Sequence, residues 1–259
     1  MGGKQRAVRK LAQFIPDGIT QIGSPFFGGG SFEAYLAASR GINIIAADAF
    51  APLVNFWQWL FKDPQTLSTE LTKLIPVETD AFFKIREELK EECLPTITNA
   101  AKIYILYNAG FSNAIRGGHS PKQLNNNNKR NWRGQRAALR NFRTKADITI
   151  KCQDVFDFLE EHPNLYCYFD PPYLDINSTG GYYGFDKSMH EDFDHERFAN
   201  TLRNTNRQFL LSYLDCPEIR EMYQWANIHE TTWRHSSKTN ARKNKGRARE
   251  SGKELAITP

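Results

Sequence analysis

The sequence predicts an α/β fold, in which a mostly parallel sheet carries helices on both faces. Strand-like apolar runs alternate with helical patterns in residues 1–54 and again in residues 147–259, as they do in β–α–β units. Residues 55–146 contain helical patterns but no convincing strand, which indicates a helical insertion. A chain of 259 residues is long enough for one large domain of this kind.

The first α/β unit contains two helices and two strands. Residues Arg6 to Phe14 have apolar side chains at helical spacing. The stretch GITQIGSPFFGGGSFEAYLAASRG then predicts a short strand, a glycine-rich turn and a helix that ends at Gly41. The next run, INIIAADAF, predicts a buried strand that ends at Asp48.

Three stretches of the insertion have helical patterns: PLVNFWQWLF, DAFFKIREELKEE and ITNAAKIYILYNAGF. The aromatic residues of the first stretch, such as Phe56 and Trp57, recur at helical spacing and are expected in the core. The insertion ends in a segment from Arg116 to Lys145 with nine Lys or Arg and no Asp or Glu. We expect this segment to form a basic loop.

The α/β pattern returns after residue 146. The stretches ADITIKCQDV, LYCYFDPPY and RQFLLSYLD are predicted strands, and VFDFLEEH and HERFANTLRNT are predicted helices. The stretches ANIHETTWRHSS and KELAITP predict an antiparallel pair that closes the sheet. The whole pattern is typical of a Rossmann-like sheet with an antiparallel closing pair.

Two features at predicted strand ends indicate a nucleoside site. The glycines of SPFFGGGSFE let the backbone approach a ligand closely and leave the N-terminus of the next helix open to it. Asp48 ends the next strand 20 residues after Gly28, where an acid can accept hydrogen bonds from ribose hydroxyls. Asp154, after a later strand, is placed either to accept from an adenine amine or to cap the following helix, and the sequence leaves both open.

The stretch YCYFDPPYLD places an acid directly after a short strand. Tyr166 to Phe169 are strand formers, and the two prolines end the strand because proline donates nothing to a sheet ladder. Pro171 also biases Asp170 away from the helical region. Asp170 is therefore expected at the carboxyl end of a strand, where open α/β sheets bind ligands.

These motifs resemble those of the Dam-like DNA adenine methyltransferases, which use S-adenosylmethionine. The resemblance covers nearly the whole chain, through GGKQRAVRKLAQFIP, PFFGGGSF, AADAF, LYNAGFSNAIR, FDPPYL and GKELAIT. It implies a catalytic methyltransferase domain of residues 1–54 and 147–259 and a helical target-recognition domain of residues 55–146. One position of the glycine loop differs, because the family usually has Glu or Asp where this chain has Ser24.

The resemblance implies cofactor-binding roles for residues of the N-terminal motif, the glycine loop and three strand ends. These are Gly3, Lys4, Phe26, Phe27, Gly28, Gly30, Ser31, Asp48, Asp154, Val155 and Asp170. The catalytic candidates are Asp170, Pro171, Pro172 and Tyr173. The adenine amine is a poor nucleophile because its lone pair is conjugated with the ring. Hydrogen bonds to the Asp170 carboxylate and the Pro171 carbonyl would direct that lone pair toward the methyl group, while Tyr173 stacks on the flipped base.

Two basic segments indicate contact with DNA. Residues Arg234 to Lys253 hold eight Lys or Arg against one Glu, in addition to the segment that ends the insertion. We expect their cations to bind phosphates, and the Asn, Gln and Trp among them suit the contact of base edges. The DNA-binding candidates, of which the resemblance implies the first two, are Asn113, Arg116, Lys122, Lys129, Arg130, Arg133, Arg136, Arg242, Lys243 and Arg247.

Composition argues against several other classes. The four cysteines show no CxxC motif or close pairing, so neither a metal site nor a disulfide framework is expected. The chain has no apolar signal segment and no apolar run of membrane-spanning length, which predicts a soluble protein of the cytoplasm or of a host-cell interior, associated with DNA. The sequence does not give the oligomeric state, for which a monomer or weak dimer is the expectation. The histidines His119, His190 and His195 have no partner at ligand spacing and are expected at the surface.

Two alternatives remain open. An Asp before Pro-Pro-Tyr also serves the methylation of RNA or of a protein glutamine, and a catalytically silent DNA-binding protein can use the same fold. The position of the insertion between Asp48 and Asp170 favours DNA as the substrate. The intact DPPY motif argues against a silent protein. The target sequence stays open, although the family commonly modifies the adenine of GATC.

Overall fold

The structure is a computed structural model that describes residues 7–110, 115, 118–119, 132–174, 184–185, 192–232 and 253–259. Within these ranges, seven strands form one sheet. In chain order they are β1 Gln21–Ser24, β2 Asn43–Asp48, β3 Ile148–Cys152, β4 Cys167–Phe169, β5 Phe209–Leu214, β6 Asn227–Thr232 and β7 Lys253–Thr258.

The strand order across the sheet is β3-β2-β1-β4-β5-β7-β6. The first five strands of this order are parallel, whereas β7 lies between β5 and β6 and is antiparallel to both. The Rossmann-like sheet and its antiparallel closing pair are thus confirmed. The chain adds β2 and β3 on one side of β1 and then β4 on its other side, which leaves a crevice beyond the carboxyl end of β1.

The described helices extend along the chain from residue 8 to residue 222. They are α1 Val8–Leu11 (continued by a 3₁₀ turn, Ala12–Phe14), α2 Ser31–Arg40, α3 Ala51–Lys62, α4 Pro64–Leu74, α5 Thr79–Glu91, α6 Ile97–Ala109, α7 Trp132–Arg140, α8 Val155–Glu161, α9 His195–Arg203 and α10 Pro217–Met222. None of these helices is long and apolar enough to cross a membrane.

The two faces of the sheet pack into two hydrophobic clusters, because successive side chains of a strand point to opposite faces. Ile22, Ile44 and Tyr168 belong to the first cluster, which also contains most of the buried apolar side chains of α1 to α7. Phe169 and Leu211 belong to the second cluster, which is covered by α8, α9 and α10. The helical insertion therefore shares one core with a face of the sheet rather than building a core of its own.

The insertion contains a helix that the sequence pattern did not indicate. Asp63 caps α4 by accepting a hydrogen bond from the backbone N–H of Thr66 at 2.9 Å, and Pro64 occupies the first turn. Both are helix-start signals, but only Leu67, Ser68 and Leu71 of this helix are buried, so its apolar stripe is narrow. The first helix of the insertion, α3, begins at Ala51, one residue before the predicted helical stretch PLVNFWQWLF and four residues before the boundary predicted at residue 55.

Part of the predicted basic loop is a helix. Helix α7 packs against α4, and its Leu139 is 4% exposed. Ser68 donates to the carbonyl oxygen of Arg136 at 3.0 Å, and Tyr104 donates to the side chain of Gln135 at 2.5 Å. These contacts come from two other helices of the insertion, so helix formation here depends on tertiary packing.

Candidate active site

The carboxyl ends of the central parallel strands meet at one edge of the sheet. Strand β1 lies between β2 and β4, so the glycine loop that follows β1 has Asp48 on one side and Asp170 on the other. Asp48 is the last residue of β2, and Asp170 follows β4 directly. The strand order thus brings together three motifs that are far apart in the sequence.

Asp48 holds the glycine loop in place. Its carboxylate accepts hydrogen bonds from the backbone N–H of Gly28 at 2.8 Å and from that of Phe50 at 2.9 Å. Burial raises the pKa of Asp48 above its ordinary value, while the two backbone donors oppose this rise. Because a carboxylate has about four lone-pair sites, these two bonds leave room for ligand hydroxyls.

The glycine loop needs glycine for two reasons. Gly28 and Gly30 have φ values of 48° and 60°, in the left-handed region. A Cβ atom on Gly30 would lie 2.8 Å from the ring of Phe27. The loop therefore turns tightly over Phe27 before α2 begins at Ser31.

Trp57 of the insertion also contacts this loop. Its indole N–H donates to the carbonyl oxygen of Gly28 at 2.9 Å, and its ring packs edge-on against Phe27 with centroids 5.1 Å apart. Trp57 is 7% exposed, which agrees with the predicted core position. Its hydrogen bond to the loop has no signal in the sequence, because a buried tryptophan at helical spacing looks like any other core residue.

Two adjoining pockets open at this edge, and both are lined by Phe26, Gly28 and Asp170. The larger, with a volume of about 220 Å³, is also lined by Pro25, Asp48, Ala49, Asp154, Val155, Pro172, Asp192 and Phe193. The smaller is also lined by Phe27, Gly29, Gly30, Ser31, Phe32, Glu33 and Tyr168. Asp192 and Phe193 were not sequence candidates, since neither belongs to a motif.

Asp170 is held by a serine of the neighbouring strand. The parallel pairing of Phe169 with Leu211 places the next residue, Ser212, beside Asp170. The Ser212 hydroxyl is fully buried, lies 3.2 Å from Asp170 Oδ1 and 3.3 Å from the Phe169 carbonyl oxygen, and is 3.1 Å from the Tyr168 hydroxyl. Ser212 was missed because only the register of β4 and β5 brings it to the site.

The rest of the DPPY motif lies beside these pockets. Pro171 is buried, and Pro172 lines the larger pocket. The ring of Tyr173 packs near that of Tyr213, with centroids 6.2 Å apart. Burial raises the pKa of Tyr213 far above its ordinary value, so its hydroxyl stays protonated.

The prediction of a surface position for His195 is wrong. His195 is 9% exposed, and its Nδ1 lies 2.6 Å from the Tyr213 hydroxyl. It occupies the first turn of α9, whose buried face packs on the second cluster. His119 is half-buried and contacts Thr79 Oγ1 at 2.9 Å, and His190 lies outside the described residues.

Asp154 caps helix α8, one of the two roles that the sequence left open. Its Oδ1 accepts from the backbone N–H of Phe156 at 2.8 Å. Asp154 and Val155 both line the larger pocket, on the same side as Asp48. Asp154 caps α8 and lines the pocket at the same time, so the two roles are compatible.

A buried carboxylate lies behind the glycine loop. The Ser24 hydroxyl donates to Glu33 Oε1 at 2.6 Å, and the two residues are 0% and 2% exposed. Ser24 ends β1 and Glu33 lies in the first turn of α2. Sequence reasoning missed Glu33, because an acid in the first helical turn is common on electrostatic grounds alone.

Most of the other candidates lie outside the described residues. These are Gly3, Lys4, Asn113, Arg116, Lys122, Lys129, Arg130, Arg242, Lys243 and Arg247. Arg133 and Arg136 are described and lie on α7, where Arg133 is exposed and Arg136 is half-buried. Within the described ranges, no group of three or more His, Cys, Asp or Glu is arranged to hold a metal ion.

Comparison with known proteins identifies the family. The sequence profile of the D12 class N6 adenine-specific DNA methyltransferases matches residues 1–237. The type II methyltransferase M1.LlaDCHI of Lactococcus lactis subsp. cremoris is 22% identical over 266 residues, which cover 96% of this chain and 90% of that protein. With most of its length matched by the profile, the chain belongs to the D12 class N6 adenine-specific DNA methyltransferases and is an adenine-specific DNA methyltransferase.

Proposed function

We propose that this chain transfers a methyl group from S-adenosylmethionine to the exocyclic amine of an adenine in a short target sequence of double-stranded DNA. The observation that carries the proposal is the position of Asp170. It follows β4 at the ligand edge of the sheet and lines both pockets beside the glycine loop. Family membership supplies the reaction class, and the position of Asp170 supports its proposed role in the reaction.

The described residues fit the proposed cofactor. Asp48 and Asp154 line one side of the larger pocket, where a carboxylate can accept from ribose hydroxyls or an adenine amine. The glycine loop brings backbone close to the ligand, and Phe26 and Phe193 provide apolar surface with ring centroids 5.5 Å apart. S-adenosylmethionine supplies an electrophilic methyl group on a sulfonium. Gly3 and Lys4 complete the proposed cofactor site.

Asp170 and Pro171 are the proposed acceptors for the adenine amine. The Ser212 hydroxyl donates to Asp170 Oδ1 and so fixes the orientation of the carboxylate. Pro171 has no backbone N–H and cannot donate to a strand ladder, so this segment stays out of the sheet. These acceptors would position the amine for in-line displacement. Positioning of reactants lowers the activation free energy by roughly 7–11 kcal/mol at best.

Tyr173 is the proposed stacking surface for the target base. A base inside a duplex is out of reach of a pocket, so the adenine must be flipped out of the helix. Tyr173 is half-buried and follows Pro172, which lines the larger pocket. Its ring packs near that of Tyr213.

Residues 55–146 are the proposed target-recognition part, with the basic segments as the DNA-contacting surface. Arg133 is exposed on α7 and suits a phosphate contact. The remaining proposed contacts fall in residues outside the described ranges. The name of the Lactococcus relative, a type II methyltransferase, favours a place in a restriction–modification pair.

The decisive experiment is a transfer assay with labelled S-adenosylmethionine and unmethylated duplex DNA of mixed sequence. The DNA is digested and its nucleosides are separated. Label in N6-methyladenine supports the proposal, and sequencing of the modified sites then gives the target. Transfer to RNA or to protein glutamine instead, or cofactor binding with no transfer to duplex DNA, contradicts it.

A further inference from the structure

A buried histidine–tyrosine pair beside the site has no role in the chemistry described so far. Tyr213 of β5 is fully buried, and its hydroxyl lies 2.6 Å from Nδ1 of His195, which is 9% exposed. The described linings of the two pockets include neither residue. A hydrogen bond between two buried ring side chains restricts the rotation of both rings. The pair is therefore suited to hold a neighbouring group in place rather than to contact a ligand.

Tyr213 lies beside the last residue of the DPPY motif. The preceding residue of β5, Ser212, contacts the Asp170 carboxylate. Successive side chains of a strand point to opposite faces, so Tyr213 lies on the other face of the sheet from Ser212. On that face its ring is next to the ring of Tyr173, with centroids 6.2 Å apart and ring planes at 38°. Two successive residues of β5 thus contact the first and the last residue of the motif.

The pair also contacts the wall of the larger pocket. The ring of His195 packs edge-on against the ring of Phe193, with centroids 4.9 Å apart, and Phe193 lines that pocket. Aromatic pairs at such separations prefer defined geometries and contribute about 0.5–1.5 kcal/mol beyond the burial of their area. A continuous series of ring contacts therefore connects Tyr173, through Tyr213 and His195, to the proposed cofactor site.

Tyr173 lies outside the strands and helices and depends on such contacts for its orientation. It is half-buried and follows the two prolines after the end of β4. A ring that stacks on a flipped base is most effective when it is already oriented, because ordering it on binding offsets part of the gain from stacking. On the basis of the proposed function, we propose that Tyr213, anchored by its hydrogen bond to His195, positions the ring of Tyr173 to receive the target adenine.

The first test compares two duplexes with the target sequence that the transfer assay identifies. In one duplex the target adenine is paired with thymine, and in the other it is opposite a mismatched base, from which it is flipped more easily. Tyr213→Leu is expected to lower the single-turnover rate on the paired duplex by roughly threefold to tenfold. The loss on the mismatched duplex should be less than about twofold. Calorimetry should show an unchanged affinity for S-adenosylmethionine, because Tyr213 does not line the pockets.

The second test measures whether His195 acts through Tyr213. Tyr213→Phe keeps the ring and removes only the hydroxyl, so a smaller loss of roughly twofold to fivefold is expected on the paired duplex. In a chain that already carries His195→Leu, the same substitution should have no further effect, because the hydrogen bond is already absent. Equal effects of Tyr213→Phe in the two chains would overturn the anchoring role of His195.

Tyr223→Phe provides the matched control. Tyr223 is also fully buried, with its ring centroid 5.9 Å from that of Tyr213, but within the described ranges its hydroxyl has no hydrogen-bond partner. Removal of this hydroxyl should leave transfer to both duplexes unchanged. Thermal unfolding of each variant separates loss of the fold from loss of the contact, and Tyr213→Phe decides the question if Tyr213→Leu does not fold.

Three outcomes overturn the role of Tyr213. Equal losses on the two duplexes would mean that Tyr213 affects the chemistry or the cofactor and not the flipped base. Unchanged transfer by Tyr213→Leu would exclude a positioning role, and the same pattern in Tyr223→Phe would make it a property of the whole cluster. If the unsubstituted chain does not methylate the paired duplex, it is the proposed function that fails, so the two failures are distinguishable.

Discussion

The indole nitrogen of Trp57 lies 2.9 Å from the carbonyl oxygen of Gly28, so a helix of the insertion is hydrogen-bonded to the glycine loop of the sheet. The same loop is bonded from the other side, where the Gly28 N–H donates to Asp48. Gly28 is therefore held through both of its backbone polar groups. This arrangement joins the proposed target-recognition part directly to the proposed cofactor site.

The variant Trp57→Phe should loosen this connection without removing the packing of the ring. We expect a loss of about 1 kcal/mol in the free energy of unfolding, the usual value of a neutral hydrogen bond, and weaker binding of S-adenosylmethionine. Calorimetry and chemical denaturation measure the two effects. Trp59→Phe is the matched control, because Trp59 is a half-buried residue of the same helix that packs under Lys62 instead. Equal effects of both substitutions would contradict a specific role for Trp57.

Substitution of Asp170 by alanine should abolish methyl transfer and leave DNA binding nearly intact. The carboxylate is the proposed acceptor for the amine, and loss of one preorganised hydrogen-bonding group lowers turnover by roughly 10²–10³-fold. Single-turnover transfer and DNA binding are measured on the same preparation. The control is Asp157→Ala, which removes an exposed aspartate of α8. Turnover retained by Asp170→Ala would exclude the assigned role.

Ser212 is expected to position Asp170 rather than to contact the base. Ser212→Ala should lower kcat by roughly tenfold, because the carboxylate loses one donor, and should leave the KM for DNA unchanged. Tyr168→Phe removes the other hydroxyl near Ser212 but keeps the contact of Ser212 with Asp170, so its effect on kcat should be smaller. If Tyr168→Phe lowered kcat more than Ser212→Ala does, the Tyr168 hydroxyl and not Ser212 would be the group that positions Asp170.

Binding of S-adenosylmethionine should weaken as the pH falls, because the proposed role of Asp48 is to accept hydrogen bonds from ribose hydroxyls, which requires its ionised form. A proton competes with these bonds, and burial raises the pKa of Asp48. The loss of affinity should therefore begin at a higher pH than that at which an ordinary aspartate, of pKa about 3.9, becomes protonated. Calorimetry at a series of pH values tests this. Asp48→Asn should bind more weakly at neutral pH and lack this pH dependence; an unchanged profile in that variant would assign the titration to another group.

Arg133 is expected to contact a DNA phosphate. Arg133→Ala should weaken binding of all DNA sequences alike and reduce the slope of log K against log salt by about 0.9. Binding is measured over a range of salt concentrations. Lys90→Ala, which removes an exposed cation of α5, is the control and should leave the slope unchanged. A change in sequence preference without a change in slope would instead indicate a base contact.

The sequence by itself determined the strands at the ligand edge and the residues that end them. Asp48 and Asp170 follow short apolar runs, and glycine at Gly28 and Gly30 is required by the backbone of a tight turn. Such signals are local: the end of a strand, the effect of a proline and a left-handed φ each involve only a few adjacent residues. For the same reason the sequence indicates Asp154 as a possible helix cap, and Asp154 does cap α8.

Only the tertiary structure decided which side chains support these residues. Ser212 reaches Asp170 across 42 positions of sequence through the pairing of two strands, and Trp57 reaches Gly28 across 29 positions through the packing of the insertion. Glu33 is next to Ser24 because α2 folds back over the end of β1. Helix α7 forms where the charge pattern predicted a loop, because two neighbouring helices hold it. Contacts of this kind depend on strand order and on helix packing, and no short stretch of sequence encodes either.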